Sequence, residues 1–231
     1  MKKFFKRLWK FIWILFLIFI ISSLFFTLLY KFVNPPITPL MVIRLGDQLV
    51  SGKPERLKKS WVGLDQISKS LPRAVVASED NNFMRHNGFD FEAIEKARDY
   101  NAAKKGKKIR GASTISQQTA KNVFLWPDRT WVRKGFETYF TFLIETFWSK
   151  KRILEVYLNV IETGDGIYGA EAAAETYFGK HASSLTAEES ALIAAVLPNP
   201  RKWSPAHPTS YISGRQQWIL WNMGNIGPLN Y

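Results

Sequence analysis

From Phe11 to Leu29 the chain reads FIWILFLIFIISSLFFTLL, an apolar run whose only polar side chains are Ser22, Ser23 and Thr27. A helix needs roughly 20 apolar residues to cross the ~30 Å hydrocarbon core of a bilayer, and this run extended to Tyr30 has that length. Lys2, Lys3, Lys6, Arg7 and Lys10 precede it, and Lys31 is the only charge from there to Ile43. Excess Lys and Arg stay on the cytoplasmic side. The pattern predicts a basic cytoplasmic tail over residues 1–10, a transmembrane helix over 11–30 and everything after it outside. A cleaved signal peptide has a core of ~7–15 apolar residues and a small-x-small cleavage site. Phe25, Phe26, Leu28, Leu29 and Tyr30 make a poor site of that kind, so a retained anchor is expected.

Beyond the anchor, Asn34 to Pro39 carries three prolines and reads as a stiff extended spacer. Met41 to Val50 reads as a short strand or turn, and Ser51 to Pro54 as a turn, giving a linker over 31–55. A single domain follows over 56–231, and its patterning is mainly helical. Asp65 to Asp80 is helix-like, with Pro72 able to restart or kink it. Asp90 can cap a helix through Tyr100, and Lys104 to Arg110 reads as a mobile basic loop. Ser113 to Leu125 is a further helix, and Thr130 to Asn159 is one long helix or two short ones. Gly164, Gly166 and Gly169 mark a turn before an Ala-rich helix, Ala170 to Tyr177. Thr186-x-x-Glu189 is a capping-box pattern opening a helix to Val196, and Tyr211 to Met223 forms the last one. No internal repeat and no βαβ alternation occur.

Composition narrows the partners. The net charge is +13, of which the basic tail supplies +5, so the exported part keeps about +8. That favours anionic lipids or lipid-linked phosphates, and the expected topology demotes nucleic acid. The absence of cysteine excludes disulfides, thiolate metal sites and a cysteine nucleophile.

Three segments carry candidate chemistry. In Ala77 to Asp90, Glu79 follows the apolar run Ala74–Ala77, so desolvation could raise its pKa into a range useful for proton transfer. Asp80, Arg85 and His86 could tune it, although an ordinary helix C-terminus with solvated charges would look the same. In Gly111 to Asn122, Thr114-x-x-Gln117 is a second capping box, and Ser113, Gln117 and Lys121 share one helical face. A helix N-terminus with a hydroxyl and a nearby lysine suits an anion, and a capped structural helix with a polar stripe fits equally. In Arg129 to Glu145, Val132, Phe136, Tyr139, Phe140, Leu143 and Phe147 form an apolar face. Arg133, Glu137, Thr141 and Glu145 lie in a row on another side, where Arg133–Glu137 could be only a surface salt bridge. Nine aromatic residues fall between Phe124 and Trp148; they fit an aromatic core or a membrane interface.

Together these segments resemble glycosyltransferase family 51, the peptidoglycan glycosyltransferases. The resemblance rests on Glu-Asp-x-x-Phe-x-x-His-x-Gly at 79–88, Gly-x-Ser-Thr-Ile-Ser-Gln-Gln at 111–118 with Lys121-Asn122, and Arg-Lys-x-x-Glu at 133–137. Lys151 to Asn159 with Gly164, Gly166 and Tyr168-Gly169 is similar to a fourth motif, and Glu188 to Pro200 to a fifth. It covers about residues 60–205. Ser116-Gln117-Gln118, the length and the lone anchor are most similar to the family's monofunctional members in Gram-negative bacteria.

The resemblance implies a lysozyme-like helical lobe with a smaller membrane-proximal jaw, in the bacterial inner membrane with the catalytic domain periplasmic. It implies lipid II and a growing glycan strand as substrates, with membrane lipids and cell-wall synthesis or division proteins as candidate partners. By the same resemblance Glu79 is the general base and Glu137 the second catalytic carboxylate. Asp80, Phe83, His86, Gly111, Ser113, Gln117, Gln118, Lys121, Asn122, Arg129, Arg133 and Lys134 are then substrate-binding candidates. No cofactor and no protein metal site is implied; a divalent cation, Mg or Mn, could accompany the substrate pyrophosphate. A glycan-cleaving enzyme with a related lobe and a non-catalytic scaffold are the competing classes. A bifunctional penicillin-binding protein is not expected, since no Ser-x-x-Lys or Lys-Thr-Gly occurs and 26 residues follow Pro205.

Overall fold

A computed structural model describes residues 2–104 and 111–230. The basic run Lys104–Arg110, expected as a mobile loop, falls outside the described residues except for Lys104. The chain forms two compact units, Met1–Asn34 and Pro35–Tyr231.

The first unit is helix α1, Lys2–Phe32, so the basic tail is itself helical. Its apolar stretch has the length and composition to cross a membrane. The polar side chains within it bond back to the helix's own carbonyls: Ser22 Oγ to Phe19 O at 3.0 Å and Thr27 Oγ1 to Ser23 O at 2.7 Å. In hydrocarbon such groups have no water to turn to, so bonding inside the segment keeps them affordable.

The second unit is mainly α, as expected. It begins with a correction: Pro39–Val50 is a helix, α2, rather than a strand or turn. The physical reason lies just before it. Thr38 accepts the Met41 N–H as N-cap, and Pro39 takes the first turn, where its missing N–H is no loss. The third proline therefore starts a helix instead of extending the spacer.

A short strand β1 (Lys58–Lys59) and a 3-10 turn (Leu64–Gln66) lead to α3, Ser70–Glu79. Pro72 sits in the first turn of α3 and does not kink it. Then come α4 (Phe91–Ala103, capped by Asp90), α5 (Ile115–Phe124, capped by Thr114), α6 (Trp131–Phe147) and α7 (Lys150–Val160). The expected Thr130–Asn159 stretch thus resolves into two helices, with Ser149 capping the second.

The glycine-rich turn is a hairpin, β2 (Glu162–Gly164) and β3 (Ile167–Tyr168), a form the pattern alone did not give. β3 pairs antiparallel with β2 and parallel with β1. Gly169 has φ +83°, and a Cβ there would lie 2.8 Å from the Asn159 carbonyl, so only glycine lets the hairpin pass directly into α8, Gly169–Phe178. Helices α9 (Ala187–Val196), with the Thr186–Glu189 capping box, and α10 (Ser210–Asn225) complete the unit.

Two helical layers result. Helices α3, α9 and α10 pack on one another, while α5 packs on α2, α6 and α7. Leu71, Ile115, Ile153, Leu154, Tyr157 and Ile193 are among the fully buried side chains. Glu79 ends α3 and so stands at the junction of the layers.

Candidate active site

Helix α3 stops at Glu79 because Asp80 leaves helical geometry (φ −163°, ψ 75°). The Asp80 side chain then ties three segments together. Its Oδ1 lies 2.9 Å from His86 Nε2, and its Oδ2 accepts the Ile115 N–H at 2.9 Å. His86 Nδ1 accepts the Gly88 N–H at 3.1 Å, so Nε2 is the nitrogen that carries hydrogen toward Asp80. Thr114 Oγ1 donates to the Gly88 carbonyl at 2.7 Å. Gly88 has φ +88°, and a Cβ would meet Thr141 at 2.8 Å. The end of α3, the following loop and the start of α5 are therefore one hydrogen-bonded unit.

Asp80→Ala would orphan the buried Ile115 N–H and the His86 N–H. Each orphaned group costs about 1–3 kcal/mol, so a loss of about 3 kcal/mol is expected from urea unfolding midpoints. Asp80→Ala with His86→Ala should then be clearly less than additive, because the two share one bond.

Glu79 faces a groove. Its Oε2 accepts the Gln118 amide at 2.9 Å and its Oε1 faces Ser78 Oγ at 3.4 Å. Tyr157, fully buried, donates its hydroxyl to Gln118 Oε1 at 3.2 Å and so turns the amide N–H₂ toward Glu79. Arg215 is held 3.5 Å from Ser78 Oγ and donates to the Ala195 carbonyl at 3.1 Å. Desolvation holds the Glu79 carboxyl above its ordinary range; the Gln118 bond, Arg215, Ser78 and Lys121 oppose that shift only in part.

The groove has two segments that share Ser113. The first, about 280 Å³, is lined by Glu79, Asp80, Asn82, Asp90, Glu92, Gly111 and Trp218, with Lys96 its one basic side chain among the described residues. The second, about 480 Å³, carries six basic side chains, Arg44, Lys121, Arg129, Arg133, Lys134 and Arg201, against Asp128, Glu137 and Glu162. Gln118 and Asn122 line it too. Glu137 is 3 % exposed and pairs with both Arg133, 8 % exposed, and Lys134. The Arg133–Glu137 pair is therefore a buried one, not a surface salt bridge. Burial lowers the Lys121 pKa, with Arg133 and Lys134 adding to the effect and Glu137 and Glu79 opposing it. Arg133 Nε and Asn122 Nδ2 are buried donors without a partner among the described residues. The second segment thus offers surplus positive charge and unused donors, the provision an anion needs.

Not every candidate lines the groove. Gln117 is buried, and its Oε1 accepts the Thr114 N–H as the capping box requires. It therefore does not share the groove face with Ser113 and Lys121. Phe83 is buried beneath Lys150, whose Nζ lies 4.6 Å from the ring centroid. His86 braces Asp80. Conversely, Arg44, Arg201 and Trp218 line the groove, and Tyr157 and Arg215 bond to Gln118 and Ser78, although no spacing along the chain marks them individually. Tyr157 sits inside the fourth motif-like segment, whereas Arg44 fell in a stretch read as strand or turn.

Among the described residues, Glu171, Glu175 and His181 come within metal-ligating distance of one another, outside both groove segments. Both Glu171 oxygens are already used, by His181 Nδ1 at 2.6 Å and by the Ala182 N–H at 2.8 Å.

The chain matches the model of a family described as Transglycosylase over residues 46–224. It is 56% identical over 204 residues to a biosynthetic peptidoglycan transglycosylase of Bdellovibrio bacteriovorus, covering 88% of this chain and 81% of that one. Proteins of the same description from Rhodospirillum centenum (60% over 190 residues; 82% and 79% covered) and Bacteroides thetaiotaomicron (55% over 215; 93% and 86%) are similar to it as well. With its charged groove, its desolvated Glu79 and this extent of identity, the chain belongs to the transglycosylase family and is a peptidoglycan glycosyltransferase of cell-wall biosynthesis.

Proposed function

We propose that this chain polymerises glycan strands by displacing undecaprenyl pyrophosphate from the growing strand with the GlcNAc 4-hydroxyl of lipid II. The observation that carries the reading is the charge asymmetry of the groove about Glu79. Among the described residues, a carboxylate with a raised pKa lines an acidic segment of the groove, and the adjoining segment is strongly basic and attracts phosphate. Glu79 takes the proton of the 4-hydroxyl as its oxygen bonds to MurNAc C1. The C1–O bond to the pyrophosphate breaks, and its electron pair leaves on the pyrophosphate. Lys121, Arg129, Arg133 and Lys134 stabilise that growing negative charge, and the buried donors of Arg133 and Asn122 gain a partner. Attack opposite the leaving group inverts the anomeric centre, so no covalent glycosyl-enzyme forms.

Glu137 acts through the cations it holds, fixing Arg133 and Lys134 in place. Asp80, His86, Phe83 and Gln117 act by shaping the segment around Glu79 and the start of α5, while Gly111, Ser113 and Gln118 border the substrate. Any Mg or Mn would ride on the substrate pyrophosphate. The excess of basic residues before the apolar helix favours residues 1–10 in the cytoplasm, 11–30 in the inner membrane and the catalytic domain, 56–231, in the periplasm. A lipid-linked substrate then meets its enzyme at the bilayer.

Purified protein incubated separately with lipid II and with preformed glycan separates synthesis from cleavage. Glycan polymer and released undecaprenyl pyrophosphate from lipid II, with the preformed glycan left intact, is the expected result. Shortening of the preformed glycan, with lipid II unchanged, would place the chain among the cleaving enzymes instead. Activity should also fall on the acid side with an apparent pKa above the ordinary carboxylate range, because the base works only when deprotonated.

A further inference from the structure

Helix α10 buries Ile212, Ile219, Asn222 and Met223 and leaves Tyr211, Trp218 and Trp221 at 58, 47 and 68 % exposure. Three half- to two-thirds-exposed large rings on one 16-residue helix go beyond what packing requires. Two of them frame a shallow, widely open depression of about 420 Å³ on one face of α10, lined among the described residues by Ser210, Tyr211, Gly214, Arg215 and Trp218. Gly214 lies between the rings, and a Cβ there would meet nothing within 4 Å, so the glycine leaves the recess open. Trp203 packs 5.4 Å from Tyr211, centroid to centroid, and steadies that ring. Trp218 also lines the groove segment that contains Glu79, so recess and groove share a wall.

We propose that this recess is a saccharide site, in which Tyr211 and Trp218 stack against pyranose rings of the glycan strand. The inference rests on the function proposed above and extends it to a surface outside the groove. Aromatic faces carry negative quadrupole density that attracts the polarised C–H groups on the flat side of a pyranose, and stacking buries apolar area as well. Positions 211 and 218 are seven residues apart, about 10 Å along the helix axis, a spacing suited to alternate sugars, one disaccharide apart.

The charged side chain of the recess is already engaged, since Arg215 bonds to the Ala195 carbonyl and reaches Ser78. The recess therefore suits an uncharged stretch of strand rather than its pyrophosphate end. A lipid surface fits less well. Leu49, Val50, Trp131, Val132 and Phe142 are also exposed, on α2 and α6, which pack on α5, whereas α10 packs on α3 and α9.

The test uses the full chain in detergent with Glu79→Gln, so that binding is read without turnover. The probe is soluble, lipid-free and peptide-free glycan of four to six sugars, titrated by calorimetry and tryptophan fluorescence. Gly214→Leu fills the recess at a position with open space, and leucine favours helix over glycine, so folding is preserved. Gly214→Leu and Tyr211→Ala should each weaken binding roughly fivefold or more, with Tyr211→Phe retaining it. In the polymerisation-competent chain, Gly214→Leu should shorten the product strands.

Unchanged oligosaccharide affinity in Gly214→Leu, or no binding by the parent protein, overturns the proposal. So does loss of binding to phosphatidylglycerol vesicles in Gly214→Leu with oligosaccharide binding intact. Failure of the Glu79 assignment would show as polymerisation by Glu79→Gln, a readout separate from these titrations.

Discussion

Glu79→Gln is expected to lower glycan polymerisation from lipid II by about 10³-fold, within the 10²–10⁴ that general-base catalysis contributes. Glutamine keeps the shape of the side chain and an oxygen to accept the Gln118 N–H, but it cannot take a proton from the attacking hydroxyl. Lipid II affinity should therefore stay close to that of the parent while turnover collapses. Polymerisation within tenfold of wild type would mean that the base lies elsewhere.

The same substitution should raise the thermal midpoint at neutral pH, and the sign follows from linkage. Burial raises the folded-state pKa above the ordinary value of 4.5. Between those two pKa values the folded protein binds more protons at this site than the unfolded chain, so stability falls as pH rises. The deficit is complete above the folded pKa and disappears as pH drops below 4.5. Melting wild type and Glu79→Gln across pH 4 to 8 should show the variant ahead at the upper end and level with wild type at the lower. A gap that widened toward acid would contradict the desolvation account.

Glu137→Ala should be the most destabilising change in the groove. It removes the carboxylate paired with Arg133 and Lys134 and leaves the largely buried guanidinium uncompensated. Breaking a buried pair in this way costs roughly 3–5 kcal/mol, which is on the order of 10 °C in thermal midpoint for a domain of this size. Polymerisation should fall more than about 100-fold, as when one preorganised electrostatic group is lost.

Inorganic pyrophosphate separates structure from mechanism. It should stabilise Glu137→Ala more than wild type, since the anion supplies the missing negative charge and binds only the folded chain. Equal stabilisation of both proteins would argue that Glu137 does not organise an anion site.

The mainly helical domain and most helix starts were legible because their causes are local. Asp90, Thr114 and Thr186 cap their helices through side chains within three residues, so spacing along the chain was enough. Helix α2 was misread because a proline can open a helix as readily as exclude one, and Thr38 decides between them. Spacing alone did not decide the surroundings of the polar row of α6, for a different reason. Arg133, Glu137 and Thr141 are buried and Glu145 takes bonds from Ser116 and Lys150, while Val132 and Phe142 are exposed. Periodicity separates two faces of a helix, but it does not say which meets water when the polar face meets opposite charges.

The apolar helix, the basic balance and the order of the motif-bearing segments belong to the sequence by itself, since each depends on neighbours in the chain. Only the tertiary structure decided what each motif residue touches. It paired Asp80 with His86 and the start of α5, spent Gln117 on a cap, and turned Gln118 to Glu79 through Tyr157 from 39 positions away. It also placed Arg44, Arg201 and Trp218 around the groove. Desolvation and charge pairing depend on distance in space, and that is set by how the helical layers pack rather than by spacing along the chain.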